Sequence, residues 1–392
     1  MKAGWQRKAI GEVCDVVNGG TPKTGVAAYW DGPHQWITPA EMGKRGTPYI
    51  DQTERTITED GLQNSSARLL PQQSVILSSR APIGHLVINT APMATNQGCK
   101  GLVPRDGLDS KYLYYYLASI VPLLNDLGTG ATFKELSGGK LKEVPIPVAP
   151  PPEQHRIVTI LDEAFDGIAT AKANAEKNLQ NARALFESHL QSVFTERGEG
   201  WVEKRLGDVC AITSTLVDPR TEDFIDLTHV GAGNIESETG AFVELKTARE
   251  EGLISGKFLF DESMVLYSKI RPYLMKVARP DFNGLCSADM YPLTPKPNEI
   301  TRDYLFHLLL SKRFTDYAVL GSARAGMPKV NREHLFEFRA WLPAVTKQAG
   351  ISAQLDALHE ETQRLETIYQ QKLTALDDLK KSLLHQAFSG QL

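Results

Sequence analysis

Only a few segments of this chain carry residue types at a spacing that could do chemistry. Gly252-Leu253-Ile254-Ser255-Gly256-Lys257 has the glycines and the lysine of a phosphate-binding loop, in which backbone N–H groups and an ammonium cradle a nucleotide. It is one residue short of GxxxxGK[ST], and Phe258 follows the lysine where a hydroxyl should meet magnesium. Glu244-Leu245-Lys246 matches the E-x-K half of a nuclease site, but Pro280-Asp281 follows it instead of preceding it. No GxGxxG, GxSxG or HExxH is present, nor the tetrad of an adenine methyltransferase. The nine histidines contain no i, i+4 pair and the four cysteines no CxxC, so zinc spacing is missing. The cysteines read as small core residues. The expectation is a chain without catalysis of its own, holding no metal or cofactor.

The elements that must position any site are set by an internal repeat. The chain has 392 residues, 42% apolar and 23% charged, which excludes disordered, collagen-like and disulfide-scaffold classes. Gly4-Trp5 and Gly11-Glu12-Val13-Cys14 recur as Gly200-Trp201 and Gly207-Asp208-Val209-Cys210. Val75-Ile76-Leu77-Ser78 with Pro82 recurs as Val265-Leu266-Tyr267-Ser268 with Pro272, and Tyr112-Leu113-Tyr114 as Tyr304-Leu305-Phe306. Gln154, Ile157, Leu161-Asp162, Ser188, Leu190 and Phe194 recur as Gln348, Ile351, Leu355-Asp356, Ser382, Leu384 and Phe388, all at one shift of 194. A constant shift over that stretch means two tail segments that match residue for residue.

Those tails read as long helices. The first follows Pro150-Pro151-Pro152, and its apolar residues (Ile157, Leu161, Ala164, Ile168, Ala171, Ala175, Leu179, Ala182, Phe186, Leu190, Val193) step by three and four. The second follows Pro343, with the stripe Ile351, Leu355, Leu358, Leu365, Tyr369, Leu373, Leu376, Leu379, Leu383 and Ala387. Two matched stripes favour packing on each other, over roughly 60 Å of helix. The fold expected is α+β: globular mixed domains at 1–150 and 199–343, each followed by a long helix at 151–198 and 344–392, the helices pairing as an antiparallel coiled coil with pseudo-twofold symmetry. Net charge is −4 and no block forms a basic or acidic tail, which argues against gripping nucleic acid by bulk charge alone. No stretch approaches the ~20 apolar residues of a membrane span, and the start carries no apolar signal segment. Cytoplasmic residence is the expectation.

With this organisation in view, the chain resembles the DNA-specificity subunits of type I restriction–modification systems. Gly19-Gly20-Thr21-Pro22, Tyr29-Trp30 and Trp36-Ile37-Thr38-Pro39 are close to that family's "GGTP…YW…WITP" opening. Ile146-Pro147 with Pro151-Pro152-Glu153-Gln154-His155-Arg156-Ile157-Val158 resembles its "IPLPPLxEQxRIV" entry to a spacer helix. Leu383-Leu384-His385-Gln386-Ala387-Phe388-Ser389-Gly390-Gln391-Leu392 is similar to its "LLxxAFxGxL" ending. The second half lacks GGTP after Cys210, which suggests a different half-site. The resemblance implies that each globular half is a target recognition domain reading one part of a split, asymmetric double-stranded DNA sequence, with the helices as spacers. It implies two modification subunits as partners, which bind S-adenosylmethionine and methylate adenine. Restriction subunits would join through them, bringing ATP- and Mg-dependent translocation and cleavage. The competing reading is a coiled-coil scaffold without DNA recognition.

On that reading, base-edge and phosphate donors are sought in polar loops. The leading candidates are Thr129, Thr132 and Lys134 in Gly128–Lys134, and Ser322, Arg324 and Lys329 in Gly321–Lys329, where small residues permit close approach. Next come Ser79 and Arg80, and Lys269 and Arg271, behind the matched strands. Lys23, Thr24 and Thr38 around the GGTP turn, and the Asn96-Gln97 pair, complete the set. Gln154, Arg156 and Gln348 are expected to be structural or partner-facing.

Overall fold

A computed structural model describes residues 2–130, 134–322 and 327–392. They divide into two units: one runs to Ala175 and takes in Gln371–Leu392, the other is Glu176–Gln370.

In the first unit, a sheet orders its strands Cys14–Asn18, Cys99–Pro104, Val75–Ser79, Ile83–Asn89 and Tyr49–Ile50. A smaller sheet, Thr56–Ile57, Trp30–Ile37 and Met93–Thr95, stands beside it. Gln6–Ala9 pairs antiparallel with Pro145–Val148 and so ties the start of the globular part to its end. The helix Ser110–Ser119 is capped by Asp109, whose side chain accepts from Tyr112 N. It lays Tyr112, Leu113, Tyr116 and Leu117 into one core with Val75 and Leu77 of the central strand.

The second unit repeats this scheme with different residues. Val202–Arg205 pairs with Arg339–Leu342. One sheet is ordered Cys210–Ala211, Met290–Pro295, Val265–Ser268, Val277–Ala278, and the helix Arg302–Leu310 packs Tyr304, Leu305 and Leu308 into the core with Val265. The other sheet, Leu216–Val217, Lys257–Phe260, Gly284–Cys286, Thr228–Val230 and Lys246–Thr247, is mixed, since Thr228–Val230 runs parallel to Gly284–Cys286.

The long helices span Pro151–Thr195 and Val345–Ser389. Within each unit the portions present run against each other in opposite directions. In the first unit Lys172 Nζ meets Asp377 Oδ1 at 2.8 Å, Lys380 lies over the Phe165 ring, and Leu161 shares a core with Leu384. In the second, Arg183 Nε meets Glu366 at 2.9 Å, Phe186 stacks obliquely on His359, and Leu190 shares a core with Leu355. The stripe is not buried throughout: Leu379 is 47% exposed. Leu373, Leu376 and Leu379 follow one another in steps of three, and each such step falls about 60° short of a full turn, which carries the stripe off the packed face.

The recurrent Gln and Asp of the tails join each helix to its own globular part. Gln154 is fully buried; its Oε1 accepts from Asp109 N at 2.9 Å, and its Nε2 donates to Gly107 O and Ala149 O at 2.8 and 2.7 Å. Gln348 does the same with Thr301 N, Glu299 O and Pro343 O. Asp162 accepts from Lys111 and from the Tyr115 hydroxyl. Its counterpart Asp356 accepts from Arg279 at 2.7 Å and from His307 at 2.9 Å. Burial pushes the Asp356 carboxyl up, but the His307 and Arg279 hydrogen bonds and charges outweigh this and hold it well below the usual carboxylate range. A depressed folded value stabilises the fold at pH above the unfolded value near ~3.9 and is lost as pH falls. D356N is expected to destabilise the second unit by about 2 kcal/mol near neutrality, less than for a fully enclosed pair because Asp356 is partly exposed. Thermal melts across pH should show that deficit shrinking below about pH 4.

All four cysteines are buried, and burial pushes each thiol up to about 12. Thiolate is the reactive form, so a thiol reagent at pH 8 should label none of them rapidly in the native chain and all of them once it is unfolded.

Candidate nucleic-acid interface

In the first unit the candidates gather at one end of the central strand. Val75–Ser79 ends in Ser79, whose N–H donates to Gly98 O at 2.7 Å and whose carbonyl accepts from Leu136 N at 2.9 Å. The segment behind the helix Val121–Leu127 therefore returns along the strand end, bridging Arg80 to Glu135 and Thr129 to Glu135. This brings Arg80 and Thr129 together, with Lys134 next to Glu135 on the same returning segment; Thr129 and Lys134 are exposed and Arg80 is half-buried. Thr132 lies outside the described residues.

Asn96 and Gln97 belong to the neighbouring turn. Asn96 Nδ2 donates to Thr21 Oγ1 at 3.0 Å and its Oδ1 accepts from Gly98 N at 2.8 Å, so the amide holds the turn. Gln97 is exposed. The glycines of the GGTP segment have a packing reason: a Cβ on Gly19 would lie 2.0 Å from Asn96 O, and one on Gly20 2.1 Å from Ala67 N. Lys23 and Thr24 follow as exposed residues. The Thr38 hydroxyl accepts from Glu41 N and caps the helix Pro39–Met42. Ser79 is buried, with its hydroxyl unpartnered among the described residues.

Two charged residues there were not singled out from the sequence. Lys100, on Cys99–Pro104, has a side chain only 7% exposed and lies 3.9 Å from Glu135 Oε1. Arg80 lies 3.9 Å from Glu135 Oε2. Burial lowers the Lys100 ammonium below its usual value, with Glu135 opposing and Arg80 reinforcing the shift. A lysine inside the run Cys99-Lys100-Gly101-Leu102-Val103 was the available signal, since a buried ammonium needs a partner.

The second unit builds its cluster at the equivalent strand end. Arg271 N donates to Pro328 O and Val330 N to Lys269 O, so the segment carrying Lys329 returns beside Val265–Ser268. Lys269 and Lys329 both lie 3.6 Å from Asp289 Oδ1, and Lys269 also donates to Ala288 O. Burial, then Lys329, lowers the Lys269 ammonium, and Asp289 opposes them. Arg271 is exposed, at φ 50°, heading the turn Pro272–Leu274. Ser322 stands apart: it is buried and donates to Val319 O at 2.8 Å, closing the helix Lys312–Leu320. Arg324 lies outside the described residues.

In both units, then, donors from a sheet end and a returning loop share one surface. The family described as type I restriction modification DNA specificity domain matches residues 2–180 and again residues 198–375. The chain belongs to this family. It carries two copies of the specificity domain, each copy ending within a long helix. Among curated relatives, the type I restriction enzyme MjaIX specificity subunit of Methanocaldococcus jannaschii is 35% identical over 57% of this chain and 55% of its own length. The EcoDI specificity subunit of Escherichia coli is 28% identical over 73% of this chain and 70% of its own. The matched region thus spans about half the length of the first relative and over two thirds of the second. A solved structure of a type I R-M system aligns over 100% of this chain and 99% of that one with a TM-score of 0.79 at 17% identity. The HsdS subunit of Thermoanaerobacter tengcongensis aligns over 100% and 98% with a TM-score of 0.65 at 17% identity. Those two likenesses establish the specificity-subunit fold. No helix among the described residues is long and apolar enough to cross a membrane.

Proposed function

We propose that this specificity-family chain reads a split, asymmetric double-stranded DNA sequence in the cytoplasm, one half-site per globular domain, and directs partner subunits to it. The domains are 1–150 and 199–343, and the helices at 151–198 and 344–392 act as spacers. The observation that carries the reading is the pair of specificity domains whose matching strand ends present unlike donors. Arg80, Thr129, Lys134 and Gln97 line one, and Lys269, Arg271 and Lys329 the other. Equivalent scaffolds with unlike side chains read unlike sequences. Lys23 and Thr24 extend the first surface. Asn96 braces the turn beside the first surface, Thr38 and Ser322 close helices, Ser79 is buried at the strand end, and Thr132 and Arg324 stay candidates on their place in the sequence alone.

The chain's own part is recognition. Two modification subunits would bring S-adenosylmethionine and methylate adenine, and restriction subunits would bring ATP- and Mg-dependent cleavage. Coexpression with a modification subunit, followed by base-resolution mapping of N6-methyladenine across the host genome, tests this. A single split motif methylated on both strands is the expected result. No methylation from a stable complex with an active modification subunit overturns it in favour of a coiled-coil scaffold.

A further inference from the structure

Both units hold two cations against one carboxylate at the same strand end, and this repetition carries an inference that rests on the DNA-reading proposal. Glu135 faces Arg80 and Lys100; Asp289 faces Lys269 and Lys329. The place is common to both, but the acid has changed sides. Glu135 sits on the returning segment, with Lys100 on the strand Cys99–Pro104 and Arg80 just past the end of Val75–Ser79. Asp289 sits on the turn before Met290–Pro295, and one of its cations, Lys329, is on the returning segment. An acid that appears in both copies by different routes is tied to the two-cation arrangement, not to one inherited contact.

The geometry is that of a loose clamp. All four separations, 3.6 to 3.9 Å, exceed hydrogen-bond length. A fold-building ion pair in this chain looks different: Lys172–Asp377 and Lys111–Asp162 close to 2.8 and 2.7 Å. Lys100 and Lys269 are nonetheless largely withdrawn from water, at 7% and 12% exposure. Glu135 and Asp289, at 45% and 47%, stand at the rim. Two partly desolvated cations face one surface carboxylate, on its two oxygens at Glu135 and on one oxygen at Asp289, and a phosphate's oxygens would accept from the same pair.

We propose that Glu135 and Asp289 set sequence specificity by occupying a phosphate's place between each cation pair in the DNA-free chain. Any duplex must then displace the carboxylate or share its cations. That penalty stands in full on a non-cognate duplex, where the displaced carboxylate is left without a partner, whereas on the cognate site base-edge donors take the carboxylate up, so the penalty falls mainly on wrong sequences. The near-neutral net charge of −4 fits a reader that suppresses indiscriminate binding.

The test uses the full chain assembled with its modification subunits, and E135Q and D289N made separately. Binding is measured on a cognate duplex and on a duplex with both half-sites scrambled, from 50 to 200 mM salt. Each variant is expected to bind the scrambled duplex roughly 10-fold tighter and the cognate duplex by a smaller factor. The salt slope should steepen by about one unit, the mark of one additional phosphate neutralised. E135D, which keeps the charge, should retain the wild-type ratio. A cognate-to-scrambled ratio that E135Q and D289N leave unchanged, while the unmodified complex still discriminates, overturns the role of the carboxylates alone. Absence of discrimination by the unmodified complex overturns the DNA-reading proposal together with it. Both acids are surface residues in separate units, so a folding defect in one variant leaves the other as the test.

Discussion

Exchanging residues 1–150 for the corresponding part of another family member is expected to rewrite one half of the methylated motif completely and leave the other half unchanged. The reason lies in how the globular part is joined to its helix. Gln154 grips Asp109 N, Gly107 O and Ala149 O, all backbone groups. Any domain that returns its chain along the same path offers those groups whatever its side chains are. The strand pair Gln6–Ala9 with Pro145–Val148 closes the module just before the junction by backbone bonds as well. Side-chain contacts also cross the joint: Lys111 and Tyr115 with Asp162, Lys2 with Glu153, Tyr115 with Phe165, and Tyr112 and Tyr116 with Phe388, so a donor domain carrying a Lys and aromatic residues at those places should dock best. Base-resolution methylation mapping reads the result. Each mismatched base pair in such a target costs about 1–3 kcal/mol, so a wholly changed half-site abolishes methylation at the original motif. Simultaneous change of both halves would mean that the domains do not read independently.

The sequence made the repeat legible because identical residues recur at constant spacing over the tails, and the tails are where both copies meet the same demands. Gln154 and Gln348, and Asp162 and Asp356, stand out by recurrence alone. A structural or partner-facing role is what the sequence suggests for the glutamines, but their partners were not legible, since they bond backbone atoms that have no sequence signature. The aspartates use different partners in the two units, Tyr115 and Lys111 in one, His307 and Arg279 in the other. The central strands Val75–Ser79 and Val265–Ser268 were legible as apolar runs. The two-residue strands Tyr49–Ile50 and Lys246–Thr247 were not, because they exist through pairing with distant strands instead of through their own pattern. At the candidate site, the polar loops and strand-end basic residues could be chosen from residue type. Which hydroxyls and amides were already engaged could not. Thr38 as a helix cap and Asn96 as a turn brace use the same donor and acceptor chemistry that base reading would. Lys100, Glu135 and Asp289 escaped because an acid's partner is fixed by which loop returns to which strand, a fact of topology.

Q154A is expected to destabilise the first unit by about 3–5 kcal/mol, and Q348A the second by a similar amount. Each substitution strands three buried or half-buried backbone groups. One unsatisfied group costs about 1–3 kcal/mol, and the site is closed to compensating water to the extent that Gln154 and Gln348 are fully buried. The alternative, that each glutamine merely fills space, predicts a smaller effect, since Gln→Met keeps most of the volume. Q154M should therefore recover little of the loss if the hydrogen bonds dominate, and most of it if packing does. Q154E separates the two further. An ionised carboxylate there would face the Gly107 and Ala149 carbonyls, so its pKa would be raised by burial and by those acceptors. Its deficit should then shrink as pH falls and the carboxyl regains a proton to donate. The sign is opposite to that of Asp356, whose stabilising contribution disappears on acidification. Thermal or urea melts of these variants from pH 4 to 8 distinguish the two behaviours. Since both joints use the same three bonds, a pH response found in Q154E but not in Q348E would break the equivalence on which the modular exchange rests.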